Sequence, residues 1–257
     1  MTVQRDLIYD IGVCDGEDSA YYLHKGYRVV GVEASPPALE ALRARFRAEI
    51  DSGRYTLVDR GIAAADGEAD FWVCDDWPHW SSFDRALASR HGARAHKVKV
   101  RTCRLGSLFQ KFGVPHYCKI DIEGNDYLSL DDIKGAAAPT FISVEASDGE
   151  REIRRLSEIG YSRFKVISQV SLRQPPPGLL RFKSRLPFGA RQLVEKVLLR
   201  LPRDRSDGDW RFTAGSSGPF GEETRGEWLS ADQASELNRL FELGSGHLDW
   251  QDIHAAR

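Results

Sequence analysis

Acidic residues end four segments whose apolar, β-branched patterns predict strands: Asp10, Glu33, Asp121 and Glu145. Ligands of open α/β sheets bind outside the carboxyl ends of the strands, so these acids are expected along one edge of a sheet. Asp121 and Glu145 end neighbouring predicted strands. Such carboxylates can take a proton from a substrate hydroxyl, or hold a divalent cation that lowers its pKa. Oxygen ligands alone favour Mg²⁺ over zinc.

A histidine in an aromatic segment is a further candidate for proton transfer. His79 lies between Trp77 and Trp80, within residues 75–96, which are too polar for a core segment and too aromatic for a simple linker. We expect this segment to be a loop lying over a site. The flat apolar faces of its aromatic side chains suit sugar rings or other flat acceptors. The alternative is that His79 is a solvent-facing side chain.

A glycine-bearing turn between two strands predicts a cofactor site. The turn contains Gly12 and Gly16 with three residues between them, so it differs from the dinucleotide fingerprint G-x-G-x-x-G. Asp10 and Asp15 would repel a pyrophosphate but suit S-adenosyl-L-methionine, which carries a sulfonium and no phosphate. Glu33, at the end of the next strand, can accept the hydroxyls of a ribose. The alternative is a structural turn without a ligand.

The composition of the chain bounds the class of protein. It has 257 residues, 41% of them hydrophobic and 29% charged, and a formal net charge of −2. These values predict a soluble protein with a sizeable core and no overall basic character that would call for nucleic acid. Four scattered cysteines without C-x-x-C spacing argue against a disulfide framework or a zinc knuckle. The absence of a signal-peptide pattern near the N-terminus predicts a cytoplasmic location.

Strands that alternate with helices predict an α/β fold with a doubly wound, mostly parallel sheet. An extra β-ribbon is expected from residues 69–74 and 97–103, which alternate in hydrophobicity. We assign residues 1–171 to the core. Residues 210–257 are expected to complete the same domain with the last strand at 210–214, a glycine-rich loop and a C-terminal helix.

Residues 172–209 differ in character from the rest of the chain. Eight basic residues lie between Arg181 and Arg205 against two acids, Glu195 and Asp204, and Leu193, Val197 and Leu201 recur at helical spacing. A basic amphipathic helix is typical of a lid, a subunit contact in a homo-oligomer, or a surface that binds a membrane. An inert insertion is the remaining alternative.

The motifs together resemble those of a known family. The sequences YDIGVCDG and VEASP, a ribbon opened by Asp66-Gly67, and then YCKIDIEGND and ISVEA resemble the FkbM family of S-adenosylmethionine-dependent methyltransferases. The resemblance covers about residues 7–168. It implies the class I methyltransferase sheet, which has a Rossmann-like arrangement of seven strands with the last antiparallel. The family pattern often has an aspartate in the segment matching 102–105, a glutamate at position 126 and a histidine soon after Glu145, and this chain lacks all three.

The resemblance also implies roles for individual residues. It places Asp10, Gly12 and Gly16 along the methionine part of the cofactor, and Gly61 and Ile62 beside the adenine. The complete cofactor-binding prediction comprises Asp10, Gly12, Val13, Cys14, Asp15, Gly16, Glu33, Ala34, Ser35, Gly61 and Ile62. Glu123, by contrast, is expected to be a salt-bridge or helix-start acid rather than a catalytic one.

The predicted reaction is O-methylation of a small molecule. Asp121, Glu145 and His79 are the candidate catalytic residues, and a Mg²⁺ held by Asp121 and Glu145 is an additional hypothesis. The aromatic segment and the family's frequent action on glycans and natural products favour a sugar or oligosaccharide hydroxyl as acceptor. Three alternatives stay open: another natural-product acceptor, methylation of nucleic acid through the basic segment, and cofactor binding without catalysis.

Overall fold

The computed structural model describes residues 2–124, 126–133, 137–201 and 203–257. Its main sheet has seven strands in the order β3-β2-β1-β7-β8-β12-β9. The pairs β1–β2, β1–β7 and β2–β3 are parallel, and β12 runs antiparallel to both β8 and β9. The predicted fold class is therefore confirmed, including the seven strands and the antiparallel last strand. The chain divides into two compact units, Met1–Thr140 and Phe141–Arg257.

Four parallel strands organise the N-terminal unit: β1 (Val3–Ile11), β2 (Arg28–Glu33), β3 (Tyr55–Asp59) and β7 (Val114–Ile120). The helices of this unit are α1 (Glu17–His24), α2 (Pro36–Arg45), α3 (Arg47–Asp51), α4 (Arg85–Ala88), α5 (Leu105–Phe112) and α6 (Asp126–Asp131). The C-terminal halves of β1 and β2 are buried without a break because strands covered on both faces select apolar residues throughout. This burial brings the strand ends that carry Asp10 and Glu33 into the interior.

The predicted ribbon is a small three-stranded sheet. It contains β4 (Gly61–Ile62), β5 (Gly67–Cys74) and β6 (Ala95–Cys103), and β5 pairs with β6 in antiparallel register as expected. Between β5 and β6, residues 75–96 contain α4 and two short 3₁₀ turns, Pro78–Trp80 and Arg90–Gly92. The segment returns to the ribbon through a bridge in which Trp72 and Ser82 exchange backbone hydrogen bonds of 2.8 and 3.0 Å.

The C-terminal unit has three strands of the main sheet: β8 (Phe141–Glu145), β9 (Arg163–Ser168) and β12 (Gln251–Ala256). Its helices are α7 (Gly149–Ile159), α8 (Pro177–Ser184), α9 (Phe188–Arg200) and α10 (Ala231–Gly244), and β10 (Ser206–Asp207) pairs with β11 (Trp210–Arg211). No helix in the described part of the chain is both long and apolar enough to cross a membrane.

The position predicted for the last strand is wrong. Residues 210–214 contribute only the two-residue β11, whereas the antiparallel strand between β8 and β9 is β12, residues Gln251–Ala256. The sequence QDIHAA has little of the β-branched and aromatic character that marks a strand. It forms a strand because it pairs with β8 on one side and with β9 on the other, and all six of its residues are buried.

The turn after β1 brings the backbone at Gly12 very close to the backbone of Asp121. Gly12 has φ +85°, and a Cβ placed on it would lie 1.7 Å from the backbone oxygen of Asp121. We therefore expect Gly12→Ala to lower the free energy of unfolding by at least about 4 kcal/mol, since both strain and overlap with rigid backbone act. Gly26 is the matched control because it has φ +89° but open space around it, so Gly26→Ala should cost only about 1–2 kcal/mol. Equal losses in urea denaturation would contradict the close approach.

Candidate active site

A buried lysine lies at the centre of the charged residues of the N-terminal unit. Lys119 is 4% exposed, and its Nζ lies 3.5 Å from Oδ1 of Asp10, 3.3 Å from Oδ2 of Asp18 and 3.4 Å from Oδ2 of Asp121. Asp10 and Lys119 are partners in the parallel register of β1 and β7. Asp121 lies two residues beyond Lys119, which places it on the same side of the strand path. We refer to these four residues as the Lys119 cluster.

The members of the Lys119 cluster differ in their access to solvent. The side chains of Asp10 and Asp18 are buried, whereas that of Asp121 is 25% exposed. Burial raises the pKa of Asp10 to about 6, and the ammonium of Lys119 opposes that rise. Ser19 Oγ donates a 2.6 Å hydrogen bond to Oδ2 of Asp10, while Oδ1 has no hydrogen-bond donor among the described residues. Asp121 is therefore the member best placed to contact a ligand.

Glu33 organises the two turns in which most of the cofactor-binding prediction lies. Its Oε2 accepts the backbone N–H of Cys14 at 2.9 Å, and its Oε1 accepts those of Ala34 and Ser35 at 2.8 and 2.7 Å. Burial raises the pKa of Glu33, and the three N–H donors oppose this by favouring the charged form. An ionised carboxylate offers about four acceptor positions, so Oε2 keeps one for a hydroxyl donor.

The other residues predicted to bind the cofactor either form the turn after β1 or contribute apolar contacts. Gly16 adopts φ +84° at the start of α1, and Cys14 has φ +53°. Val13 is buried, while Asp15 is exposed and accepts the N–H of Glu17 through its side chain at 3.2 Å. Gly61 and Ile62 form β4, and a Cβ on Gly61 would lie 2.3 Å from the Phe83 ring and 3.4 Å from Cβ of Ala34. These assignments to the cofactor remain predictions.

The turn after β7 is fixed by two acids. Asp126 accepts the N–H groups of Ile122 and Gly124 at 3.0 and 3.1 Å, and its pKa is raised to about 7 by burial and by the charge of Asp121. Glu123 forms two hydrogen bonds of 2.8 Å with Arg90, which confirms the expectation of a salt-bridge acid. Asn125, in the motif that carries much of the family resemblance, lies outside the described residues.

Residues 75–96 contact this turn directly. Ser82 Oγ donates a 2.7 Å hydrogen bond to the backbone oxygen of Glu123, and the Arg90 guanidinium lies 4.3 Å from the centre of the Trp80 ring. Arg90 thus joins the aromatic segment to the end of β7. His79 is exposed, and its ring centroid lies 6.1 Å from that of Trp77 and 5.9 Å from that of Trp80. The structure therefore places His79 in an aromatic group with Trp77 and Trp80.

Glu145, the other candidate base, ends β8 in the C-terminal unit. It is half-buried, and Asp252 is its register partner on β12. Within the described residues, no group of three or more His, Cys, Asp or Glu side chains is arranged to hold a metal ion. The sequence analysis missed Lys119 and Asp18. A lysine inside an otherwise apolar strand, two residues before a candidate catalytic acid, is the signal that would have pointed to the first of them.

Removal of the central ammonium tests the electrostatics of the cluster. In Lys119→Met, buried carboxylates lose their cation, and we expect a loss of about 3–5 kcal/mol in the free energy of unfolding at pH 8. The loss should be smaller at pH 5. Without the ammonium, the pKa of Asp10 in the folded variant lies still further above its pKa in the unfolded chain. The free energy of unfolding therefore falls as the pH rises between these two pKa values. Urea denaturation at both pH values measures this, and adding Asp10→Asn should reduce the pH dependence. A loss independent of pH would contradict the charge argument.

The contact between Arg90 and Glu123 predicts what holds residues 75–96 in place. Arg90→Gln removes a bidentate ion pair and the stacking on Trp80, so we expect hydrogen exchange of amides in residues 78–92 to rise about tenfold. Arg94→Gln is the matched control in the same segment, because Arg94 pairs with Asp76 at the surface and its side chain is 77% exposed. Equal protection in both variants would show that the Arg90 pair does not hold the segment.

Comparison with known proteins identifies the family. Three solved structures of methyltransferases resemble this chain only weakly, with TM-scores between 0.35 and 0.41. An FkbM methyltransferase from Methylobacillus flagellatus KT has 19% identity and a TM-score of 0.39, over 57% of this chain and 34% of that chain. A precorrin-6y C5,15-methyltransferase from Geobacter metallireducens GS-15 has 16% identity and a TM-score of 0.35, over 65% and 69%.

The third structure is a phosphoethanolamine N-methyltransferase 2 from Haemonchus contortus, in complex with phosphomonomethylethanolamine and S-adenosylhomocysteine. It has 13% identity and a TM-score of 0.41, over 100% of this chain and 50% of that chain. Thus the chain spans about a third of the length of the FkbM structure and half that of the N-methyltransferase. No curated protein matches the chain significantly.

The family model of the Methyltransferase FkbM domain matches residues 10–163, which is more than half of the chain. The matched region begins at Asp10 and includes Glu33, Lys119, Asp121 and Glu145. The expectation drawn from the sequence motifs is confirmed: the chain belongs to the FkbM methyltransferase family.

Proposed function

We propose that the protein transfers a methyl group from S-adenosyl-L-methionine to a hydroxyl of a small molecule, with a sugar or oligosaccharide as the acceptor. Membership of the FkbM family supports methyl transfer. The observation that carries the choice of cofactor is the Lys119 cluster, in which one ammonium faces three carboxylates within 3.5 Å. Such a net negative site stabilises a cationic ligand and disfavours a phosphate.

The residues around the cluster fit the chemistry of that cofactor. It would present a sulfonium and an α-ammonium group, which suit Asp121 and the negative cluster, and a ribose, which suits the acceptor position left on Oε2 of Glu33. Gly12 lets the turn approach the backbone of Asp121, where any side chain would collide. Ile62 and the Phe83 ring over Gly61 offer an apolar environment for a base. The proposed cofactor set is the one given by the sequence motifs.

In the proposed reaction the cofactor supplies an activated methyl group bound to positively charged sulfur. The acceptor oxygen would take the methyl carbon, and the sulfur would keep the electron pair of the carbon–sulfur bond that breaks. The hydroxyl proton then passes to a carboxylate. We assign this role to Asp121, whose side chain is partly exposed and lies 3.4 Å from Lys119 Nζ, so that its position is held while it accepts the proton.

Glu145 is proposed as a second acid that orients the acceptor or shares its proton. His79 is assigned to acceptor contact through the aromatic group rather than to the transfer step, because its ring lies beside those of Trp77 and Trp80. The Trp77 side chain is 52% exposed, and its ring centroid lies 5.7 Å from that of Trp80. An exposed indole beside a half-buried one supports a flat, weakly polar acceptor such as a sugar ring.

Transfer of labelled methyl from S-adenosyl-L-methionine to a panel of oligosaccharides and lipid-linked sugars tests the proposal. We expect Asp121→Asn to lower kcat at least about 100-fold, as the loss of a general base does, and Trp77→Ala to raise KM for the acceptor. Asp51→Asn, which removes an exposed carboxylate of α3, is the matched control and should keep wild-type kinetics. Each assay is run with and without EDTA, and loss of activity with EDTA would support the Mg²⁺ hypothesis.

Cofactor binding and catalysis are separated by calorimetry with S-adenosyl-L-methionine. Absence of binding by the wild-type protein would overturn the cofactor assignment. If instead the cofactor binds but Asp121→Asn and Glu145→Gln both retain full methyl transfer, the catalytic assignment is wrong. Glu33→Ala should weaken cofactor binding by at least about tenfold, through loss of the ribose contact and of the two turns it fixes. Thermal unfolding without cofactor measures the contribution of the turns alone.

A further inference from the structure

Helix α9 has an inverted distribution of side chains. Among the 13 residues of Phe188–Arg200, only Glu195 is buried, whereas Leu193 is 64% and Val197 is 51% exposed. A surface helix of a globular protein normally packs its apolar residues inward and turns its charges to water. Leu193 and Val197 therefore face mainly solvent, and the one buried side chain of α9 is a charged one.

The contacts of Glu195 explain how the helix is held. Its Oε1 accepts a 2.5 Å hydrogen bond from Lys183 Nζ of α8 and one of 2.9 Å from the N–H of Gly246, and its Oε2 accepts the N–H of Leu248 at 3.1 Å. One buried carboxylate thus ties α8, α9 and the segment after α10 together. The Phe188 ring also lies 5.3 Å from that of His247. These contacts fix the orientation of α9, so its exposed apolar side chains are part of a defined surface.

We call the exposed side of this helical pair the α8–α9 surface. Six of the ten large apolar side chains that are exposed in the described residues belong to it: Phe182, Phe188, Leu193, Val197, Leu199 and Leu201. Leu193 and Val197 are one helical turn apart, as are Lys196 and Arg200, so each pair shares a helix face. All four are exposed, so apolar and basic rows run side by side along α9.

The exposed charges of this surface have one sign. Arg181, Arg185, Lys196 and Arg200 are exposed, and the only acid between residues 175 and 203 is the buried Glu195. In a two-fold symmetric dimer the same patch meets itself, so this surface would place like charges together. Nucleic acid would match the charge but not the exposed aliphatic side chains of α9, since it is bound through phosphate contacts and aromatic stacking. An anionic lipid surface matches both.

We propose that the α8–α9 surface docks on the surface of an anionic lipid bilayer. The Leu193 and Val197 side chains enter the boundary between headgroups and acyl chains, and the Lys196 and Arg200 side chains beside them contact anionic headgroups, as in interfacial amphipathic helices. The two helices lie on the membrane and do not cross it. This proposal concerns only the C-terminal unit and does not depend on the acceptor assigned above.

Vesicle flotation of the full chain tests the proposal, using phosphatidylcholine vesicles with and without phosphatidylglycerol. The wild-type protein should bind the anionic vesicles at least about tenfold better than the neutral ones, and high salt should reduce binding. Lys196→Gln with Arg200→Gln should lower the partition coefficient about 25-fold, at about fivefold for each charge. The control, Arg47→Gln with Lys111→Gln, removes two exposed charges elsewhere and should bind like wild type.

A second pair of variants tests the apolar contribution. Leu193→Ser with Val197→Ser should abolish detectable binding, whereas Leu128→Ser with Leu243→Ser, which changes exposed leucines of α6 and α10, should not. Circular dichroism and thermal unfolding check that every variant is folded. Equal binding to neutral and anionic vesicles, or equal effects in test and control pairs, would overturn the proposal. So would a wild-type dimer in sedimentation that Leu193→Ser with Val197→Ser dissociates while vesicle binding is absent, since that result identifies a subunit contact.

Discussion

The N-terminal unit depends on a single buried cation. Removing the carboxylates of Asp10 and Asp18 from water is costly, and Lys119 offsets part of that cost because the parallel register of β1 and β7 sets it directly beside Asp10. The same ammonium reaches Asp18 in the first turn of α1 and Asp121 beyond the end of β7. One strand pairing therefore fixes where the first helix begins and where the acid after β7 points. The backbone follows the same constraint at Gly12, which has room for no side chain.

Glu33, at the end of β2, is also a buried carboxylate, but different groups compensate its charge. It has no cation at ion-pair distance among the contacts described here, and three backbone N–H groups supply the compensation. These donors come from two separate turns, so the carboxylate joins the turn after β1 to the start of the segment leading into α2. Because the protein itself fills three of its about four acceptor positions, Glu33 keeps one on Oε2 for a further donor. A ligand there completes a structure that is already ordered.

The sequence was sufficient to predict elements whose signals are local. Buried parallel strands are continuous apolar runs, so β1, β2 and the acids that follow them could be recognised, and alternation revealed β5 and β6. Lys119 was missed because its position in the strand does not identify two of its three partners, Asp10 and Asp18, which lie about a hundred positions away in the chain. The last strand was misplaced for a similar reason: QDIHAA becomes a strand through its two neighbours rather than through its own propensity. Arg90 likewise meets Glu123 only after the chain has folded.

Glu195 gives the C-terminal unit its own buried charge, with a different consequence. Its carboxylate is satisfied by Lys183 and by two backbone N–H groups, so the one buried side chain of α9 is bound through polar contacts. Packing of an amphipathic face is what normally stabilises a protein helix. Leu193 and Val197 do not stabilise α9 in this way, because their side chains face outward. The apolar area they expose is available to a partner because the contacts of Glu195, and not the burial of these two side chains, help to hold the helix in place.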